Sequence, residues 1–243
     1  MIAVLKIFNQ SSEVVHGFTS KNCGDFSLKG EKNKKDYFSF LKKLNLHSYP
    51  LIQVNQVHGD RIILVNKNNL LTKPEADGLI SRERNLILGI RSADCLPIIY
   101  YEPKKKIIGA THAGRRGLLL EIPKKMIQYI KQLGGKPENT LVGIGPHIGP
   151  CCYSLDNQTI QAICQEQPLV KNFIKKEGAD KAFLDLLELC RQQLMEVGVN
   201  KNNLETSEIC TACQHQHWWS YRQEGKACGN MLTVICQKNG SEN

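Results

Sequence analysis

The chain has 243 residues, 41% hydrophobic and 23% charged, enough length and apolar content for a buried core, so a peptide-sized scaffold and a disordered chain are both excluded. The 32 Lys and Arg against 23 Asp and Glu give a formal charge of +9, which favours anionic partners. That charge is dispersed in short groups such as Lys104-Lys105-Lys106 and Lys175-Lys176, without an arginine-rich arm or a basic stripe interleaved with aromatics, so dedicated nucleic-acid binding is not expected.

In chain order, Met1–Ile7 is too short for the apolar core of a secretion signal, and no run approaches about 18 apolar residues. The expectation is a cytoplasmic protein with no membrane span. Short apolar runs bounded by turn residues predict strands over Leu51–Val57, Arg61–Val65, Leu86–Ile90, Pro97–Tyr101, Lys106–Ala110 and Leu141–Ile144. Apolar residues at helical spacing predict helices over Gly117–Leu133, Leu155–Gln165 and Ala179–Val197, the first and last ended by glycines. Met231–Gln237 reads as a last strand. Strands dominate early and helices come late, without a linker or an internal repeat, so residues 1–243 are expected to form one domain of mixed α/β (α+β) class rather than regular βαβ units.

Ten cysteines without a leader argue for free thiols or metal ligands rather than a disulfide framework. Cys164 and Cys190 fall at helical apolar spacing and read as small hydrophobes, whereas Cys23, Cys228 and Cys236 match no ligand spacing.

Reactive side chains gather where predicted strands end: Asn55-Gln56-Val57-His58-Gly59-Asp60, Ser92-Ala93-Asp94-Cys95-Leu96-Pro97 and Thr111-His112-Ala113-Gly114-Arg115-Arg116-Gly117. Loops at strand ends hold side chains on a rigid base, where open α/β sheets place ligands. Two imidazoles and a thiolate from such loops, His58, His112 and Cys95, would make a three-ligand tetrahedral zinc site with its fourth position open, and the metal would bring the pKa of its water toward about 7. Asp94 or Asp60 would orient an imidazole or take a proton. A competing metal reading is Cys210-Thr211-Ala212-Cys213-Gln214-His215-Gln216-His217, four potential ligands within a short stretch, although a structural zinc normally joins two separated pairs. Gly143–Pro150 reads as an anion-binding glycine loop or a plain tight turn, and Gly114-Arg115-Arg116-Gly117 as a phosphate site at a helix start or a solvated cationic turn. Trp218-Trp219-Ser220-Tyr221-Arg222 is either core packing or a surface on which a purine stacks.

Taken together and in order, these segments resemble the YfiH family of purine nucleoside phosphorylases, also called laccase-domain or multicopper polyphenol oxidoreductases. The resemblance runs from Gly17-Phe18-Thr19-Ser20-Lys21 through Gln56-Val57-His58-Gly59, Ala76-Asp77-Gly78, Ala93-Asp94-Cys95-Leu96-Pro97, His112-Ala113-Gly114, Gly145-Pro146, Ile148-Gly149-Pro150-Cys151-Cys152-Tyr153, Cys210-Thr211 and Ser220-Tyr221-Arg222 to Met231-Leu232-Thr233-Val234-Ile235. It implies a layered α/β/β/α sandwich, one zinc on His58, Cys95 and His112, and catalysis by these residues with Asp94. It also implies purine nucleosides and inorganic phosphate as substrates: phosphorolysis of adenosine, inosine, guanosine and methylthioadenosine, together with deamination of adenosine. Arg116 is then the leading phosphate ligand, with Lys21, Gln56 and Arg222 as further substrate-binding candidates. The sequence departs from the family pattern at Arg115, where the family has Trp, and at Lys21, Gln223 and Asn230, where it has Arg. Lys offers a point charge where Arg gives a planar fork, so substrate preference is where divergence is expected.

Three rival readings are a copper-dependent polyphenol oxidase, for which seven histidines are a thin ligand set, a metal-free hydrolase with a Cys95–His nucleophile pair, and a zinc-stabilised binding module with a basic surface.

Overall fold

Every residue of Leu96–Glu102 and of Ile107–Ala113 is buried, so these two strands must be covered on both faces. In a computed structural model of the chain, which describes residues 1–27, 33–66, 73–177 and 181–239, they pair antiparallel, Leu96 opposite Ala113 and Glu102 opposite Ile107. They form the middle of a six-stranded sheet ordered Leu204–Thr206, Leu141–Ile144, Leu96–Glu102, Ile107–Ala113, Gly78–Ser81, Ile62–Leu64. A five-stranded sheet follows the order Ile2–Ala3, Val14–Thr19, Met231–Gln237, Ile87–Ser92, Leu51–Ile52, and a small three-stranded sheet is made of Ser154–Asp156, Lys181–Leu184 and Ile174–Glu177.

Side chains alternate across each strand, and the alternation sorts the core into three layers. Ile99 and Tyr101 of the larger sheet meet Leu88, Ile90 and Ile235 of the five-stranded sheet between the two. On the far side, Ile98 and Tyr100 pack against Met126, Ile127 and Ile130 of the helix Ile122–Gln132 and against Leu189 and Leu194 of the helix Leu186–Glu196. Ile87, Leu232, Val234 and Cys236 face Phe40 and Leu41 of the helix Asn33–Lys43 on the opposite outside. The order is helix, sheet, sheet, helix: the expected α/β/β/α sandwich.

Several elements differ from the sequence reading. Leu51–Val57 keeps regular pairing only at Leu51–Ile52, parallel to Ile87–Leu88, after which Asn55 makes a lone bridge to Glu75. The helix expected over Gly117–Leu133 is two, Arg115–Leu119 and Ile122–Gln132, because Glu121 adopts a left-handed conformation (φ 60°) and Pro123 opens the second helix. Of the helix expected over Ala179–Val197, Ala179 lies outside the described residues, Lys181–Leu184 is a strand, and the helix begins after Asp185, whose side chain accepts the Glu188 N–H. The third begins at Asn157, capped by Asp156. All ten cysteines carry free thiols, Cys190 fully buried. Among the described residues no helix is long and apolar enough to cross a membrane.

Candidate active site

The larger sheet ends where three chemically active side chains meet. Cys95 immediately precedes the strand Leu96–Glu102, and His112 lies on its neighbour, opposite Pro97. His58 comes from the loop between Leu51–Ile52 and Ile62–Leu64, in a left-handed conformation (φ 56°). The His58 and His112 rings stand edge to face with centroids 4.8 Å apart, and one ligand atom from each of His58, Cys95 and His112 lies within 4.8 Å of the others. Gly114 leaves the room: a Cβ there would lie 2.8 Å from the Cys95 Sγ and 3.3 Å from the His58 Cδ2.

A fourth residue fixes this arrangement. Asp77, fully buried, accepts backbone N–H groups from Val57 and Gly59 on Oδ2 (3.1 and 2.7 Å) and from His58 on Oδ1 (3.0 Å). Its Oδ1 also lies 2.8 Å from the His112 Nδ1. One carboxylate thus pins the His58 loop and holds a proton of His112 on Nδ1, so that Nε2 is the nitrogen left to meet Cys95 or, once deprotonated, a metal ion. Burial opposes ionisation of Cys95, but the charge on His112 and hydrogen bonds from both imidazoles outweigh it and bring the thiol down to about 6. Burial likewise opposes charging His112, and the Cys95 thiolate and Asp77 outweigh it, raising the imidazole to about 9. A thiolate and two imidazoles, one orientated through its far nitrogen, suit a borderline-soft tetrahedral ion such as zinc with one position left for a ligand.

The triad opens into a cavity of about 920 Å³, the size of a small-molecule site. Its lining includes four arginines, Arg91, Arg115, Arg116 and Arg222, against one carboxylate, Asp94, with Tyr153 and Tyr221 as aromatic walls. Asp94 adopts φ 84°, a conformation costly for a residue with a Cβ, and is held there by Thr211 Oγ1 donating to its Oδ1 and the Arg222 N–H donating to its Oδ2, both at 2.6 Å. Arg91 is 8% exposed, and burial lowers its pKa. Its Nη1 and the neighbouring Ser92 Oγ are both shielded from solvent.

The family described as multi-copper polyphenol oxidoreductase laccase matches residues 11–238. The chain belongs to that family. It is 32% identical to the purine nucleoside phosphorylase RC0672 of Rickettsia conorii, over 96% of this chain and 94% of that one. It is 25% identical to the adenosine deaminase RL5 of an unknown prokaryotic organism, over 77% of this chain and 75% of that protein. The fold is similar to the crystal structure of the hypothetical protein YfiH of Bacillus licheniformis, with a TM-score of 0.86 and 27% identity over 98% of this chain and 96% of that one.

Against this laccase-family background, the structure brings together His58, Cys95, His112, Asp94, Gln56, Arg116 and Arg222 around one cavity. Gln56 has its side chain committed, its amide clamping the Arg91 backbone through both O and N. The Arg222 guanidinium is also committed, to the Cys152 and Ser154 carbonyls, and lies 5.2 Å from the centre of the Tyr153 ring. The side chains of Arg115 and Arg116 make no hydrogen bond or ion pair to other described residues, but they sit on a helix of only five residues rather than at the start of a long one. Lys21 does not reach the cavity: its Nζ is bound to Glu224 (2.9 Å) and the His215 carbonyl (3.3 Å), over the Trp219 ring. Trp218 is core and the tyrosines, not the tryptophans, line the cavity. Asp60 pairs with Lys125 instead of an imidazole. The Gly143–Pro150 segment is neither an anion loop of free N–H groups nor a tight turn: it finishes the strand Leu141–Ile144 and runs on through a bridge from His147 to Cys210, with the Gly145 and Ile148 N–H groups donating to the Pro97 and Asp94 carbonyls, and a Cβ at Gly145 would collide with the Phe18 ring at 2.2 Å. The sequence reading assigned no role to Asp77 or Arg91, although each is a lone charge bordering or within an apolar strand, the pattern of a buried charge with a specific partner.

Proposed function

We propose that the chain is a zinc-dependent purine nucleoside phosphorylase, converting adenosine, inosine, guanosine or methylthioadenosine to the free base and a sugar 1-phosphate, and that the same cavity deaminates adenosine. The observation that carries this reading is the strongly cationic wall directly beside the His58–Cys95–His112 group. Its support from relatives is the names borne by the Rickettsia phosphorylase and the deaminase RL5.

Phosphorolysis requires a phosphate held against the sugar C1′ while the bond from C1′ to the purine nitrogen breaks and its electron pair leaves with the base. Arg116 binds and orients the phosphate, Arg guanidinium being the better fork for its oxygens. Tyr153 and Tyr221 flank the base. A zinc ion held by His58, Cys95 and His112 supplies Lewis acidity at the wall. Asp94, the one carboxylate among the described residues lining the cavity, relays the proton: it takes one from the attacking dihydrogen phosphate and passes it to the departing purine, or, when water adds to C6 of adenosine, takes it from that water and passes it to the departing ammonia.

Copper-based phenol oxidation is the less favoured alternative. Multicopper chemistry needs several imidazoles, and among the described residues neither group of metal-ligand type holds more than two. His16 accepts the Leu5 N–H and His147 is bonded to the Gly145 carbonyl. The Cys95–His112 ion pair also suits a metal-free thiol nucleophile. Metal analysis of the purified chain, with adenosine and inosine incubated with and without phosphate, decides among these. Zinc with phosphate-dependent release of base supports the proposal. Oxidation of phenols with untouched nucleosides, or turnover indifferent to chelator, overturns it.

A further inference from the structure

Away from the cavity triad, four more sulfurs converge. Cys151 and Cys152 lie in the turn after Gly149-Pro150, and Cys210 and Cys213 in the turn that follows the strand Leu204–Thr206. Their Sγ atoms all lie within 4.8 Å of one another, with Cys152 to Cys213 at 3.3 Å and Cys151 to Cys213 at 3.5 Å.

The spacing identifies the occupant. Four thiolates around a single ion with bonds of about 2.3 Å stand about 3.8 Å apart at the corners of a tetrahedron. A disulfide would bring one pair to about 2.05 Å and leave the others without a role, and an iron–sulfur cluster would hold its thiolates wider apart because several atoms lie between them. The backbone is shaped around the sulfurs as well. The Gly149 N–H donates to the Cys210 Sγ at 3.2 Å, a bond that stabilises a thiolate. A Cβ at Gly149 would stand 3.2 Å from the Cys151 Sγ and 3.5 Å from the Cys210 Sγ. The two turns are further joined by a bridge between His147 and Cys210.

We propose that Cys151, Cys152, Cys210 and Cys213 bind a second zinc ion in a closed tetrathiolate site, distinct from the His58–Cys95–His112 group and structural in role. The ion fastens two turns that each carry part of the cavity wall. The Cys152 carbonyl accepts Nη1 of Arg222 at 3.1 Å and Tyr153 is the next residue, while Thr211, next to Cys210, holds Asp94. A pair of cysteines on each turn thereby sets the spacing between Tyr153, Arg222 and Asp94. The proposal does not depend on which reaction the cavity performs.

The test counts and characterises metal in the full chain purified with reductant. Wild type is expected to hold two zinc ions per chain. Cys95→Ala is expected to lose one and keep the other, and X-ray absorption on that variant to give four sulfur neighbours at about 2.3 Å. Cobalt exchanged into it should show the strong thiolate-to-cobalt absorption of a four-sulfur site. Cys213→Ser should lose that ion alone; if this variant does not fold, the count and the sulfur number in Cys95→Ala decide the matter. A Cys95→Ala chain without metal, a mixed nitrogen–sulfur environment in it, or a wild-type mass two hydrogens light from a Cys152–Cys213 disulfide overturns the proposal.

Discussion

The Asp77 Oδ1 stands 2.8 Å from the His112 Nδ1, and the same carboxyl group accepts the N–H of His58. One buried carboxylate therefore sets the tautomer of one imidazole and the backbone that carries the other. Asp77→Asn keeps the size but turns an NH2 group toward donors. We expect zinc affinity about 10- to 100-fold weaker, the usual loss when a partner of a ligating imidazole is removed, read by chelator competition, with activity falling in parallel.

Gly114→Ala tests the space around Cys95. The new Cβ would stand 2.8 Å from the Cys95 Sγ, so the sulfur must move and its group with His58 and His112 is broken. Zinc at this site is expected to be lost while circular dichroism stays near that of the wild type.

Arg116→Gln removes a guanidinium on the cavity wall whose side chain bonds to no other described residue. The expected result is a rise in KM for phosphate of about 10-fold or more, consistent with about 1.5–3 kcal/mol for a charge-assisted hydrogen bond, with Arg116→Lys recovering part of it. Lys21→Ala, which breaks a pair with Glu224 outside the cavity, should leave that KM unchanged. Steady-state kinetics at varied phosphate separate the two.

His16 makes stability pH-dependent. Its Nε2 accepts the Leu5 N–H at 2.8 Å between the rings of Phe8 and Phe18, and burial lowers its pKa to about 4 against the weaker pull of Glu205. The folded state thus binds this proton less readily than the unfolded chain, whose histidine titrates near about 6.5. The contribution is complete above about 6.5 and is lost as pH falls toward about 4, on the order of 3 kcal/mol. Urea unfolding between these values should show the slope, and His16→Gln should reduce it.

The strands Leu96–Glu102, Ile107–Ala113, Leu141–Ile144 and Met231–Gln237 are legible in the sequence because continuous apolar runs mark strands covered on both faces. Val14–Thr19 escapes because His16 and Gly17 interrupt its pattern, and Asn33–Lys43 because most of that helix is charged or polar, with only Phe40 and Leu41 fully turned inward. Lys181–Leu184 reads as part of the following helix, since an apolar run so short carries no period of its own, although the Asp185 cap marks the boundary. At the site, His58, Cys95 and His112 are visible as reactive residues at strand ends. Asp77 and Arg91 are not, because what gives each its meaning, an imidazole 35 positions away and an unfilled cavity wall, exists only once the sheets are assembled. The two cysteine pairs likewise meet only once the sheets are assembled: spacing within 210–217 offers Cys210 and Cys213 with His215 and His217 as partners, whereas the fold gathers the two cysteines with Cys151 and Cys152.

Met231–Gln237 lies in the interior of its sheet, paired on one side with Val14–Thr19 and on the other with Ile87–Ser92. Those two neighbours are made far earlier on the ribosome and have no direct ladder to each other. A chain that stops shortly before residue 231 would leave the facing edges of Val14–Thr19 and Ile87–Ser92 unpaired and prone to aggregate.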